Sequence, residues 1–228
     1  PMSAPKPLKF TSNPQDTPPS SLSALFNAEY YATSCGEPYQ HNDIWLAFFG
    51  SVADHIKAGI QPGSVLDAGC AMGFLVESLR VRGVEAWGVD ISEYAIQNVH
   101  PDFRPFCQVG SILAPFPHRR YDLIVCIEVL EHLLPEQAAP AVANLCKHSS
   151  DILFSSTSDD TKEATHFNVQ PPQYWAALFA RSGFYPDADF NASFITPWAV
   201  RFVRQPTLFA RLWRTLKEIR DGVPSKSS

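Results

Sequence analysis

Apolar positions between residues 64 and 203 fall into two alternating patterns. Runs at 64–67, 84–89, 103–109, 121–127 and 151–156 are short and nearly continuous, as in strands covered on both faces. The intervening stretches 74–82, 92–99, 135–148 and 172–182 repeat their apolar residues at helical spacing, as Leu75, Val76 and Leu79 do. Gly83 and Gly183 mark helix stops, and 184–190 and 194–203 read as late strands. This alternation predicts an α/β, doubly wound, mostly parallel sheet with right-handed crossovers. Upstream, Ile44, Trp45, Phe48, Phe49, Val52 and Ile56 predict a helix from Asn42 or Asp43 to about Lys57, ended by Gly59 and Pro62-Gly63.

The two ends follow different rules. Six of the 20 prolines lie in residues 1–20, among Ser, Thr and Asn, so that segment is expected to be disordered. The division expected is a disordered 1–20, a lid or helix over 21–62, a single ligand-binding domain over 63–205 and a basic amphipathic helix over 206–228. Residues 201–228 carry seven basic and two acidic side chains, net +5, which leaves −10 for the other 200 residues of a chain of net charge −5. An acidic body disfavours nucleic acid, and it would also be repelled by anionic lipid, so the tail is read as a segment that docks a partner or connects to further domains in preference to a membrane-surface helix. Five scattered cysteines without a CxxC exclude a disulfide scaffold, and no apolar run reaches membrane-spanning length. The expected location is cytoplasmic.

The most informative stretch is Val65-Leu66-Asp67-Ala68-Gly69-Cys70-Ala71-Met72-Gly73. A strand ends in an acid, and a glycine-bearing turn then opens a helix. Gly69 would let a ligand approach the backbone, and Gly73 would let the helix start tight against the strand. A second acid, Asp90, ends the next strand 21 positions after Gly69, where a carboxylate can accept both hydroxyls of a ribose. Two glycines alone also serve as plain turn residues. The paired acids add discrimination: Asp67 would repel a pyrophosphate but could help hold an ammonium, which favours S-adenosylmethionine over a dinucleotide.

These residues, with Gly88-Val89-Asp90-Ile91-Ser92 and Tyr121-Asp122-Leu123-Ile124-Val125-Cys126-Ile127-Glu128, resemble the class I S-adenosylmethionine-dependent methyltransferases over about 64–203. The resemblance implies a seven-stranded Rossmann-like sheet. It assigns Asp67, Gly69, Cys70 and Gly73 to the methionine end of the cofactor, Asp90 to its ribose, Ile91 to adenine and Ile127 to the cofactor wall. At Gly110-Ser111-Ile112 a backbone amide or the Ser111 hydroxyl must replace the acid or amide common in the family. Ala71 likewise replaces a frequent glycine.

Past the fourth predicted strand come Glu128, Glu131 and His132, whose spacings put all three on one face if a helical turn follows. Two close carboxylates would repel, and hard oxygen ligands plus a histidine suit Mg2+ or Mn2+. The fifth strand neighbours the fourth, so His166 can come close as a fourth ligand. The set Glu128, Glu131, His132 and His166 resembles the metal site of small-RNA 2′-O-methyltransferases and ubiquinone-pathway O-methyltransferases, which act on vicinal oxygens. Without a metal, His132 with Glu131 is the candidate base, since an imidazole titrates near neutrality. Tyr30, Tyr31, Tyr39, Gln40 and His41 read either as a lid or as aromatics fixing the first helix. Residues 167–175 read as an acceptor wall or as the start of a helix.

The activity expected is an S-adenosylmethionine-dependent O-methyltransferase, metal-assisted, acting on a small-molecule or glycan acceptor with a vicinal diol. A metal-independent small-molecule methyltransferase, a small-RNA 2′-O-methyltransferase and a non-catalytic cofactor-binding module remain as alternatives.

Overall fold

The computed structural model describes residues 20–116 and 120–205. The expectations for 1–19 and for the basic tail from 206 lie outside the described residues. The strands are β1 (Ser64–Ala68), β2 (Glu85–Asp90), β3 (Cys107–Val109), β4 (Leu123–Ile127), β5 (Asp151–Ser155), β6 (Phe184–Pro186) and β7 (Val200–Arg204). They form one sheet in the order β3-β2-β1-β4-β5-β7-β6. β7 alone runs antiparallel, pairing with β5 and β6. β1 is an inner strand, with Leu66 opposite Trp87 of β2 and Ile124 of β4.

Because successive strand side chains point to opposite faces, each strand feeds two cores. Val65, Ala86, Leu123, Val125 and Leu153 pack against α3 (Asp43–Gly59), α4 (Phe74–Val81) and α5 (Glu93–Gln97). Leu66, Trp87, Val89, Ile124, Ile152 and Phe154 pack against α6 (Pro135–His148) and α7 (Pro172–Arg181). Both faces are thus apolar, which explains the unbroken hydrophobic runs. Helix α3 is capped by Asn42, whose side chain accepts from the Trp45 amide at 3.1 Å, and it extends through Gly59, two residues beyond the expected end. Two short helices precede it, α1 (Ser20–Ser23) and α2 (Ala28–Thr33).

The largest differences from expectation are at the sheet edges. β3 is confined to Cys107–Val109 because Pro105 sits in a 3-10 turn over Arg104–Phe106 and its ring removes a ladder donor. β6 stops at Pro186, and β7 starts only at Val200. The apolar residues between them are nonetheless used: Ala192 and Ile195 are buried in the α3 face as irregular chain.

Candidate active site

The chain lays β1, β2 and β3 on one side, then crosses back to place β4 on the other side of β1. A crevice forms at the carboxyl ends of strands where the order reverses. Here the turn after β1 and the segment after β4 share a cavity of about 450 Å³. Its wall includes Asp67, Gly69, Cys70, Asp90, Ile91, Ser111, Ile127, Glu128, Glu131, His132 and His166. Gly73 does not line it.

The glycines of the first turn are fixed by packing. Gly69 has φ +94°, and a Cβ there would lie 2.2 Å from Val129 Cγ2. The expected open approach of a ligand is therefore not what demands glycine at this position. Gly73, at φ +74°, precedes α4, and a Cβ would meet Cys107 Sγ at 3.0 Å and Val99 Cγ1 at 3.2 Å. That is the tight helix start expected from the sequence. Between them Ala71 adopts φ +46°, a conformation that costs an L residue roughly 1–2 kcal/mol.

Its amide is compensated by Asp90, whose Oδ2 accepts from Ala71 N at 2.8 Å while Oδ1 accepts from Ser92 N at 2.8 Å. Asp90 and Asp67 are buried, and burial drives both carboxyls up. Asp67 reaches about 8, with Asp90's charge adding to the desolvation. Ser111 Oγ accepts from the Leu113 amide at 3.1 Å.

Helix α2 roofs the cavity. Ser92, fully buried, donates its hydroxyl to the Phe26 carbonyl at 2.6 Å and caps α5 by accepting from Ala95 N at 3.0 Å. Phe26 and Tyr30 then meet the His132 ring nearly perpendicular to it, at ring separations of 5.2 and 6.0 Å. The N-terminal aromatics divide between the two expected roles. Tyr30 and Tyr31 line the cavity, whereas Tyr39 also stacks on Phe74 of α4 at 4.8 Å. Gln40 is exposed, and His41 pairs with Glu77 at 3.1 Å. In 167–175 the helix start prevails: α7 opens at Pro172, and Trp175 is buried.

After β4 the expected single face does not form. Glu128 has φ +51°, and the following turn is a short 3-10 segment, Leu130–His132. Glu128 Oε1 instead accepts from Ser155 Oγ at 2.6 Å and from Trp198 Nε1 at 3.0 Å. Glu131, His132 and His166 do converge, each offering a ligand atom within 4.8 Å of the others. Glu131 is fully buried, and its Oε2 has no hydrogen-bond partner. Burial and then the Glu128 charge raise its carboxyl well above the ordinary range.

His132 Nδ1 lies 3.1 Å from the Thr165 carbonyl and 2.9 Å from Thr165 Oγ1. A carbonyl only accepts, so Nδ1 carries the proton and Nε2 presents a lone pair, 3.4 Å from the Tyr30 hydroxyl. Burial, then the neighbouring His166, push His132 down to about 4, so the neutral imidazole prevails at pH 7. Glu163, which no sequence signal distinguished, lies outside the cavity lining behind the histidines: its Oε2 accepts from Thr165 Oγ1 at 2.6 Å and lies 3.1 Å from His166 Nε2. It sits in the charged run Asp159-Asp160-Thr161-Lys162-Glu163, which reads as a solvated loop.

Among curated proteins, the ubiquinone biosynthesis O-methyltransferase of Nitrosomonas europaea is 31% identical over 119 residues, which are 48% of this chain and 50% of that protein. The chain thus spans about half the length of the curated relatives it matches. Among solved structures, the magnesium protoporphyrin IX methyltransferase of Synechocystis with bound S-adenosylhomocysteine superposes with a TM-score of 0.60 at 18% identity, covering 80% of this chain and 99% of that one. The PH0226 protein from Pyrococcus horikoshii gives 0.61 at 17% identity, covering 78% and 99%. These two likenesses show the class I methyltransferase fold. The "Methyltransferase domain" family matches residues 45–188, and with the strand order and the crevice at its crossing point the chain belongs to that family.

Proposed function

We propose that the chain is an S-adenosylmethionine-dependent O-methyltransferase that uses a divalent cation, Mg2+ or Mn2+, to bind a vicinal-diol acceptor on a small molecule or glycan. The observation carrying this reading is the single cavity, with buried Asp67 and Asp90 at one end and Glu131, His132 and His166 at the other. The curated relatives are O-methyltransferases by name.

S-adenosylmethionine supplies an electrophilic methyl on a sulfonium. Asp67 faces its ammonium, usually through water, while Asp90 uses its remaining lone pairs for the ribose hydroxyls. Ile91 and Ser111 flank adenine, and Cys70 and Ile127 close the wall. The donor set at the other end fits a hard cation: one buried carboxylate oxygen without a donor, beside a neutral imidazole whose Nε2 lone pair meets only the Tyr30 hydroxyl, at 3.4 Å. When bound, the cation supplies charge that lowers the pKa of an acceptor hydroxyl. Glu131, His132 and His166 hold it, and Phe26 and Tyr30 exclude water so that the acceptor is aligned for in-line attack.

A second reading follows from the His132 tautomer, since Nε2 could take the acceptor's proton directly. A histidine held near 4 is a weak base for a hydroxyl, which favours the cation. Catechol and sugar-diol acceptors assayed with and without EDTA separate the two. Loss of turnover with EDTA and in His166→Ala is expected. Turnover surviving both leaves His132 as base.

A further inference from the structure

The one lone pair of His132 already has a partner, and that partner comes from the roof. Because Nδ1 donates to the Thr165 carbonyl at 3.1 Å, Nε2 can only accept. The Tyr30 hydroxyl donates to it across 3.4 Å. Helix α2 fixes the position of this side chain. Asn27 caps the helix by accepting from the Tyr30 amide at 3.2 Å, and the Tyr30 carbonyl accepts from the Ser34 amide at 2.8 Å. The Tyr30 ring stands nearly perpendicular to those of Phe26 and Tyr31, at centroid separations of 5.0 and 5.1 Å.

A phenol keeps its proton at neutral pH, and here burial, then Cys35, Glu163, Glu131 and Asp90, raise it further, so Tyr30 stays a donor. The bond it makes to His132 is at the long limit and is easily exchanged. Tyr30 and His132 line the same cavity. Any occupant of Nε2, whether a cation or the hydroxyl of an acceptor, takes the lone pair that Tyr30 now uses. A donor in so enclosed a place is costly to leave unpaired, and the nearest new partner is an oxygen of the acceptor itself.

We propose that Tyr30 binds the acceptor: its hydroxyl leaves His132 Nε2 and donates to the acceptor oxygen that attacks the methyl group. This assignment rests on the reading above, that the reacting oxygen lies at His132, and it applies with the cation or with His132 as base. No proton is transferred at Tyr30. The neutral phenol stabilises the negative charge that grows on the acceptor oxygen as that oxygen loses its own proton. It also gives the site a preference between classes of acceptor. An attacking oxygen keeps further lone pairs for the phenol, whereas an attacking amine spends its only lone pair on the methyl group and leaves Tyr30 without a partner.

The test is binding of 4-nitrocatechol, a vicinal diol whose absorption moves to longer wavelength when it ionises, to the full chain with S-adenosylhomocysteine, with and without Mn2+. Thermal melting and S-adenosylhomocysteine affinity are measured beside it. Tyr30→Phe keeps the ring and removes the donor. It should weaken 4-nitrocatechol by about tenfold or more, the size of a lost hydrogen bond to a charged oxygen. Ionisation of the bound probe should move to higher pH, a signature that loss of packing alone does not give. Melting should stay in place, and S-adenosylhomocysteine affinity should change by less than about twofold. An equal loss of both ligands would overturn the assignment, since Tyr30 would then act only as part of the roof. Unchanged or tighter 4-nitrocatechol binding would overturn it too, the latter marking Tyr30 as a plug over Nε2. A wild-type chain that takes up no 4-nitrocatechol, with or without Mn2+, would instead remove the vicinal-diol reading itself, and the assignment with it.

Discussion

Asp67 illustrates how a binding residue is disadvantageous until its ligand arrives. Burial, with Asp90 nearby, holds its carboxyl at about 8 instead of the usual 3.8. The folded chain then binds a proton that the unfolded chain releases, so its stability contribution is full below about pH 4 and declines as pH rises towards 8. We expect Asp67→Asn to flatten that decline, raising the melting temperature at pH 8 relative to wild type while weakening S-adenosylhomocysteine. Parallel melting curves for the two proteins between pH 5 and 8 would remove the protonated Asp67. Residues such as Asp67, Asp90, Glu131 and His132 were legible in the sequence because each is a polar residue at or just past the end of an apolar strand. Glu163 was not, because only the tertiary approach of the loop after β5 separates it from the acids around it.

Elements were most legible where both faces of a strand are buried, as in β1, β4 and β5, and least legible at the edges. At β3 and β6 the apolar pattern runs beyond the hydrogen-bonded ladder, because Pro105 and Pro186 limit pairing while neighbouring apolar residues still pack. Helix α2 shows the converse, a short element whose place is set by few bonds. Ser92 ties its entry to the end of β2 through the Phe26 carbonyl and also caps α5. Ser92→Ala removes both bonds and leaves a buried carbonyl unpaired, a loss of about 1–3 kcal/mol. Denaturant unfolding should register that loss, and calorimetry should register weaker S-adenosylhomocysteine binding as the roof loosens. Intact affinity would separate α2 from the cofactor end.

At the scale of the molecule, Arg201 of β7 ties β5 to the chain just past β6, its guanidinium donating to Asp151 at 2.9 Å and to Asp187 at 3.1 Å. Among the described residues, those lining the cavity lie between Leu22 and Thr196. Deleting residues 207–228 should therefore leave S-adenosylhomocysteine affinity within about twofold, since tolerance to truncation follows the contacts of the removed backbone. A large loss would place the basic tail within the catalytic fold. No helix among the described residues is long and apolar enough to cross a membrane. The shared cavity also has a chemical corollary for ligand design. One molecule joining an adenosine to a chelating diol would span both ends at once. It would lose its translational freedom only once and would gain avidity that neither half has alone.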